Sequence, residues 1–450
     1  MFEAWRAPGA EVAVLGLGKS GVAAARLLRA NGVAVYASDG GRTPALEAQG
    51  EVVRAAGAAV DIGRHDLDRL RRAAALVVSP GIPPGAAALA AARDAGVPVL
   101  AEAELGLRCL SNSRVIAITG TNGKTTTTAM TAHLLDTAGL RAAAAGNIGR
   151  PLSEVALEAR PPDWLAVELS SFQLHDTPGL APAAGVLTNL APDHLDRYPS
   201  LAEYYGDKAL LFRNADAGST WITNGDDPAV QEMVRAVPGR HERFSTAGTT
   251  AAGWYDRAGG RLMLGAEPLL PRAELPLLGD HNVANALAAA LAARVAGVAP
   301  GDLAAGLRSF RALTHRLEPV REVGGVLWIN DSKATNIAST EVALAALDRP
   351  YVLLLGGRHK GEPYTRLGPL LARRCRAVVA YGEAGELVKA DLEGVVRVVG
   401  AGAFDEVLQT ARRLAQPGDA VLLSPACSSY DMFNNYEERG AAFRAAVEAL

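Results

Sequence analysis

At 450 residues the chain is too long for one core, since single cores stop growing near ~250–300 residues, and two to four domains are expected. A net charge of −3 gives no electrostatic footprint for nucleic acid, and no run nears the ~18 unbroken apolar residues of a membrane-spanning helix. Cys109, Cys375 and Cys427 lie far apart, in neither metal-ligand spacing nor a disulfide framework, and the start MFEAWRAPGAEVAVLG shows no signal-like segment, so a reducing, cytoplasmic setting is expected.

Strand-like apolar runs alternate with helical patterns, which predicts α/β architecture on mostly parallel sheets. Val12–Leu15 reads as a strand that turns through GLGKSG (16–21) into a helix stopping at Gly32; a second strand ends at Asp39. Leu76–Pro84 reads as strand and turn, and Cys109–Ser113 as a linker. Arg114–Thr119 reads as a strand, followed by a glycine loop and a helix to about Ala138. Strands follow at Trp164–Leu169 and Gly185–Asn189, then a hairpin at Gly253–Leu264 and an alanine-rich helix over Val283–Ala296. The last segment carries strands at Val326–Asn330, Tyr351–Leu355, Ala377–Tyr381, Val395–Val399 and Ala420–Ser424. Three domains are expected: a Rossmann-like domain over 1–112, a central P-loop ATPase-type domain over 113–312 and a second Rossmann-like domain over 313–450.

The stretch ITGTNGKTTTT (118–128) ends as a phosphate-binding loop does, in Gly-Lys-Thr, but only two residues separate Gly120 from Gly123. Backbone amides of such a strand-to-helix loop point at an anion, and the helix dipole favours negative charge there. Lys124 can reach the terminal phosphates and Thr125 can hold Mg²⁺, with Glu168 at the end of the next strand as a candidate metal carboxylate. His194 follows a further strand, without a second argument for a role. GLGKSG with Asp39 is a full dinucleotide fingerprint; taken alone it makes NAD the default ligand, and a diphosphate-bearing substrate would satisfy the same loop. Arg316 and Asp331 can embrace a ribose and base, while Lys333, Lys360 and the SPACSSYDMFNNYEERG segment follow strand ends. The chain holds only six lysines against thirty-nine arginines. A retained lysine is therefore enriched for positions that need a compact ammonium or a neutral, reactive amine.

Taken together, GTNGKTTT (120–127), GNIG (146–149), ELSSFQL (168–174), HLDRY (194–198), HNVANALAA (281–289), THR (314–316) and NDSKATN (330–336) resemble the ATP-dependent Mur ligases of bacterial cell-wall synthesis, over the whole chain. The GLGKSG start, NDSKATN and the SPACSSYDMFNNYEERG ending look most like the D-glutamate-adding branch. The resemblance implies that a carboxylate of UDP-MurNAc-L-Ala attacks ATP to give an acyl phosphate, which the amine of D-glutamate then captures. It implies that Gly120, Thr121, Asn122, Gly123, Lys124, Thr125 and Thr126 cradle ATP, with Asn285, Arg316 and Asp331 on the adenosine. Thr125 and Glu168 would serve one Mg²⁺ ion and His194 a second, with Lys208 as a carbamylated lysine on the metal side; Lys124, Glu168, His194 and Lys208 are thus the expected catalytic set. Gly18, Lys19, Ser20, Asp39, Ser79, Gly81 and Asn147 would hold the UDP-linked substrate, and Lys333, Thr335, Lys360, Ser429 and Tyr436 the D-glutamate. Lys389 is left without a role. A monomer with no nucleic-acid or membrane partner is expected. The rival readings are a sibling ligase that adds L-alanine, a nicotinamide-dependent oxidoreductase resting on GLGKSG, and a regulatory P-loop NTPase.

Overall fold

A computed structural model describes residues 2–193 and 197–450. The chain divides into two compact units, Met1–Leu275 with Val283–Ser309, and Pro276–Asn282 with Phe310–Leu450. Three sheets carry it.

The first sheet contains β1 (Val12–Leu15), β2 (Val35–Asp39), β3 (Ala59–Ile62), β4 (Ala75–Val78) and β5 (Val99–Ala101), in the order β3-β2-β1-β4-β5, all parallel. Strands covered on both faces read as unbroken apolar runs, and Val12–Leu15 and Ala75–Val78 are buried throughout. The strand order reverses at β1, so a crevice forms where GLGKSG leaves it. Gly16 has φ +89°. Gly21 lets the following helix, Lys19–Ala30, come close: a Cβ there would stand 1.8 Å from the Gly16 carbonyl oxygen.

The second sheet belongs to the same unit. Its strands are β6 (Arg114–Thr119), β7 (Ala142–Gly146), β8 (Trp164–Glu168), β9 (Ala184–Leu187), β10 (Thr220–Asn224), β11 (Arg240–Ser245), β12 (Gly253–Asp256), β13 (Arg261–Leu264) and β14 (Glu267–Pro271). The order is β14-β13-β12-β11-β10-β9-β6-β8-β7, parallel except for the β12–β13–β14 meander. β6 lies between β8 and β9, which sets the glycine loop between their carboxyl ends.

The second unit holds β15 (Glu318–Val323), β16 (Val326–Asn330), β17 (Tyr351–Gly356), β18 (Cys375–Tyr381), β19 (Val398–Ala401) and β20 (Ala420–Leu423), in the order β15-β16-β20-β17-β18-β19. All neighbours are parallel except β15 and β16. The expected strand Val395–Val399 begins three residues later, because Val395 N closes a turn onto Leu392 O after the helix Gly385–Asp391 and its side chain is exposed. The expected linker at Cys109–Ser113 starts late for a related reason: Cys109 is the last residue of the helix Glu102–Cys109. Among the described residues no helix is long and apolar enough to cross a membrane.

The Gly21 contact yields a prediction. Gly21→Ala forces the helix off the loop and is expected to lower stability by about 1–3 kcal/mol, as overpacking does. Chemical unfolding measures it, and an unchanged midpoint would contradict this packing.

Candidate active site

The glycine loop is built from side chains that pin its backbone. Gly120 has φ +143°, and a Cβ there would lie 1.9 Å from Thr188 Oγ1. Thr188 Oγ1 donates to Asn122 O (2.6 Å), Thr121 N donates to Asn189 O (2.9 Å) and Asn122 N to Asn189 Oδ1 (2.8 Å). Thr121 Oγ1 accepts from Ala191 N (3.0 Å) and sits 3.2 Å from the Tyr204 hydroxyl. Gly123 takes φ +81° and starts the helix Lys124–Thr137; a Cβ on it would meet Asn285 Oδ1 at 2.4 Å. Glycine is thus required twice, by conformation and by space. The first turn of any helix leaves its N–H groups without intrahelical acceptors, which makes this end an anion site.

Three polar side chains converge here. Lys124 Nζ donates to Gly120 O (3.0 Å) and Thr121 O (2.7 Å). Lys208, from the helix Leu201–Ala209, donates to the same Gly120 O (2.7 Å) and lies 4.7 Å from the Tyr204 ring centroid. It is 1% exposed. Burial, and next the nearby Lys124 charge, pull its pKa down to about 6. Glu168 ends β8, paired in register with Ile118. Its Oε1 accepts from Asn147 Nδ2 (2.9 Å), while the buried Oε2 has no hydrogen-bond partner among the described residues. An orphaned buried carboxylate oxygen beside an anion cradle suits a divalent cation, which accepts hard oxygen ligands. Among the described residues no three His, Cys, Asp or Glu side chains cluster as a metal site. His194 lies outside the described residues.

At the first sheet, Asp39 Oδ2 accepts from Leu17 N (2.8 Å) and Oδ1 from Gly41 N (2.8 Å), while Ser79 Oγ donates to Gly16 O (2.9 Å). Asp39 and Ser79 therefore brace the GLGKSG turn from two neighbouring strands. Gly18 and Lys19 are exposed and Ser20 half-buried at its helix start; Gly81 has open space where a Cβ would point. A cavity of about 810 Å³ is lined by Ser79, Ile82, Arg93, Phe172, Tyr198 and Asp207, among others. Its size is that of a small-molecule site.

In the second unit, Asp331, Lys333 and Thr335 follow β16, Lys360 follows β17, and Ser429 follows β20, all at carboxyl ends of parallel strands. Lys333 Nζ donates to the Tyr436 hydroxyl (2.8 Å). Asp331 accepts from Leu317 N (3.1 Å) and Ser424 Oγ (2.8 Å), and burial pushes its pKa up to about 7. Lys360 is exposed, and Thr335 N donates to Lys333 O (2.9 Å). Lys389 is a surface residue paired with Glu386. The residues not foreseen individually are common polar types: Thr188 and Asn189 hold the loop's backbone, Tyr204 meets Thr121 Oγ1, and Ser424, which opens SPACSSYDMFNNYEERG, donates to Asp331 Oδ2.

A phosphate cradle between two sheet strands, with an acid and an amine buried beside it, is the equipment of a nucleotide-dependent enzyme. The Mur ligase MurD-like N-terminal domain matches residues 10–101, the Mur ligase middle domain 118–293 and the Mur ligase glutamate ligase domain 315–427. The UDP-N-acetylmuramoylalanine–D-glutamate ligase of Acidobacterium capsulatum is 41% identical, over 98% of this chain and 96% of that protein. That of Myxococcus xanthus is 43% identical, over 98% and 99%. Among solved structures, UDP-N-acetylmuramate-alanine ligase from Thermotoga maritima has TM-score 0.63 at 18% identity, covering 98% of this chain and 99% of that one. The pseudomurein peptide ligase type C of Methanothermus fervidus has TM-score 0.60 at 19% identity, covering 98% and 100%. The chain belongs to the Mur ligase family and is an ATP-dependent ligase that forms amide bonds.

The buried amine makes a stability prediction. Between pH about 6 and its ordinary 10.5, Lys208 binds a proton when unfolded and not when folded, so its contribution to stability rises with pH across that window. Gly120 O keeps Lys124 as a donor if Lys208 is replaced. In CO₂-free buffer Lys208→Met is expected to be more stable than the wild type, with an advantage that grows as pH falls toward about 6. Urea midpoints against pH check this, and a pH-independent difference would contradict it.

Proposed function

We propose that the chain adds D-glutamate to UDP-N-acetylmuramoyl-L-alanine, in the cytoplasmic stage of peptidoglycan synthesis. What carries this is the likeness along 98% of the chain to relatives named for that reaction, at 41% and 43% identity. The substrate's terminal carboxylate oxygen attacks the γ-phosphorus of ATP and ADP leaves. The D-glutamate nitrogen then attacks the acyl carbon, loses a proton and expels phosphate.

In this reading Gly120 to Thr126 cradle the phosphates, Lys124 takes up charge on the transferring phosphoryl group, and Asn285, Arg316 and Asp331 hold the adenosine. Phosphoryl transfer asks the protein for positioning and charge neutralisation above all. Thr125 and Glu168 would hold one Mg²⁺, and His194 with a carbamate on Lys208 a second. Bound Mg²⁺ supplies positive charge at the phosphate oxygens. The neutral Lys208 amine is the form that adds CO₂, giving the metal side an anion in addition to Glu168. Gly18, Lys19, Ser20, Asp39, Ser79, Gly81 and Asn147 would hold the UDP-linked substrate, whose bulk the cavity beside Ser79 can accommodate. Lys333, Thr335, Lys360, Ser429 and Tyr436 would surround D-glutamate. The 1–112, 113–312 and 313–450 divisions would then separate UDP-substrate, ATP and amino-acid binding.

Phosphate release in the presence of UDP-MurNAc-L-Ala, ATP and Mg²⁺ is expected to require D-glutamate. Release driven instead by L-alanine with UDP-MurNAc would assign the sibling reaction. Lys208→Ala is expected to lose activity by about 10–100-fold or more, as lost metal-side partners do, with partial recovery in formate or acetate. Full activity of Lys208→Ala would remove the carbamate from the scheme.

A further inference from the structure

Among the described residues only three non-glycine residues have positive φ: His315 (+64°), Leu317 (+40°) and Ala426 (+55°). Two of them flank Arg316. Left-handed backbone at non-glycine residues persists only where its surroundings enforce it, and it concentrates at functional sites. The enforcement here is visible. His315 N donates to Glu318 Oε2 (3.0 Å), Arg316 N to Leu313 O (3.0 Å), and Leu317 N to Asp331 Oδ1 (3.1 Å). Lys333 N returns to His315 O (3.1 Å).

Glu318 is the centre of this arrangement and is buried. Its Oε2 also accepts from Asn330 Nδ2 (3.1 Å), and Oε1 is ion-paired with Arg444. Asn330 Nδ2 in turn contacts His315 Nδ1 (3.0 Å) and donates to Gly440 O (3.1 Å). Gly440 is required for the fit, since a Cβ on it would stand 2.1 Å from His315 Nδ1. The Arg316 charge acts on both Asp331 and Tyr436, which places it at the strand-end rim.

We propose that Glu318 is a positioning residue for nucleotide binding. Its carboxylate fixes the left-handed turn at His315, Asp331 Oδ1 holds the one at Leu317, and the two turns together aim Arg316 beside Asp331. This rests on the reading that Arg316 and Asp331 hold the adenosine of ATP. Glu318 touches no reacting atom, so its removal affects ATP affinity and leaves the later chemistry and the other substrates' affinities nearly unchanged.

The test is steady-state kinetics of the full chain, with each substrate varied in turn. Glu318→Ala is expected to raise KM for ATP roughly tenfold or more, the scale of one lost charge-assisted hydrogen bond, with kcat and the other KM values within about threefold. Glu318→Gln keeps an acceptor for His315 N and is expected to stay near wild type in KM for ATP. Arg444→Met removes the ion pair but keeps the acceptor; it is expected to lower the melting temperature without a comparable KM change. If Glu318→Ala does not fold, Glu318→Asp, one methylene too short to reach His315 N, carries the same expectation. A parallel rise of all three KM values, or no rise for ATP, would overturn the proposal. Arg316→Ala tells the two ideas apart. If it raises KM for ATP and the Glu318 variants do not, the positioning role fails alone. If Arg316→Ala also leaves KM for ATP unchanged, the adenosine reading fails and takes this one with it.

Discussion

One carbonyl governs the candidate active site. Gly120 O accepts hydrogen bonds from two lysines, Lys124 at 3.0 Å and Lys208 at 2.7 Å. Two ammonium groups drawn to one buried oxygen repel each other, and the more deeply buried one yields its proton more easily. Lys208 is that one. Gly120 carries φ +143° against Thr188, a conformation and a fit that only glycine allows, and its carbonyl meets both amines. The amides of Thr121 and Asn122 are committed to Asn189. Anion-facing donors are therefore left to the first turn of the helix Lys124–Thr137, where the dipole also acts. A compact loop gives up two amides to rigidity and leans on the helix end instead.

The second unit solves a comparable problem with strain. Its rim residues project from carboxyl ends of parallel strands, but Arg316 lies on a connection entering the antiparallel β15. Left-handed turns at His315 and Leu317 bring that connection to Asp331, and a buried Glu318–Asn330 cluster holds it there. Glu318 and Asn330 stabilise the connection without being candidate binding residues, while Asp331 does both, since it accepts from Leu317 N.

Much of this was legible in the sequence. Strands with an apolar run, such as Val12–Leu15, Arg114–Thr119 with its Val115–Ile118 core and Val326–Asn330 with Val326–Ile329, were readable because strands covered on both faces are apolar. Ala142–Gly146 and Arg240–Ser245 were not: one is alanine-rich, the other reads RHERFS, and both become strands through pairing with better-formed neighbours. Within the site, glycines, lysines and strand-end acids announced themselves by type and position. Thr188 and Asn189 did not, because a residue that pins another segment's backbone carries no spacing of its own, nor did Tyr204, which meets the Thr121 hydroxyl. Of the six lysines, Lys124, Lys208 and Lys333 have buried or half-buried polar partners, Lys19 and Lys360 are exposed, and Lys389 pairs at the surface.

In the proposed scheme the fold keeps Lys208 as a neutral amine able to take up CO₂. Carbon-13 NMR of the protein in ¹³C-labelled bicarbonate addresses it without reference to turnover. A single carbamate carbon signal, present in the wild type near neutral pH and absent in Lys208→Arg, is the predicted result. No carbamate signal in the wild type, or one that persists in Lys208→Arg, would rule out a carbamate on Lys208.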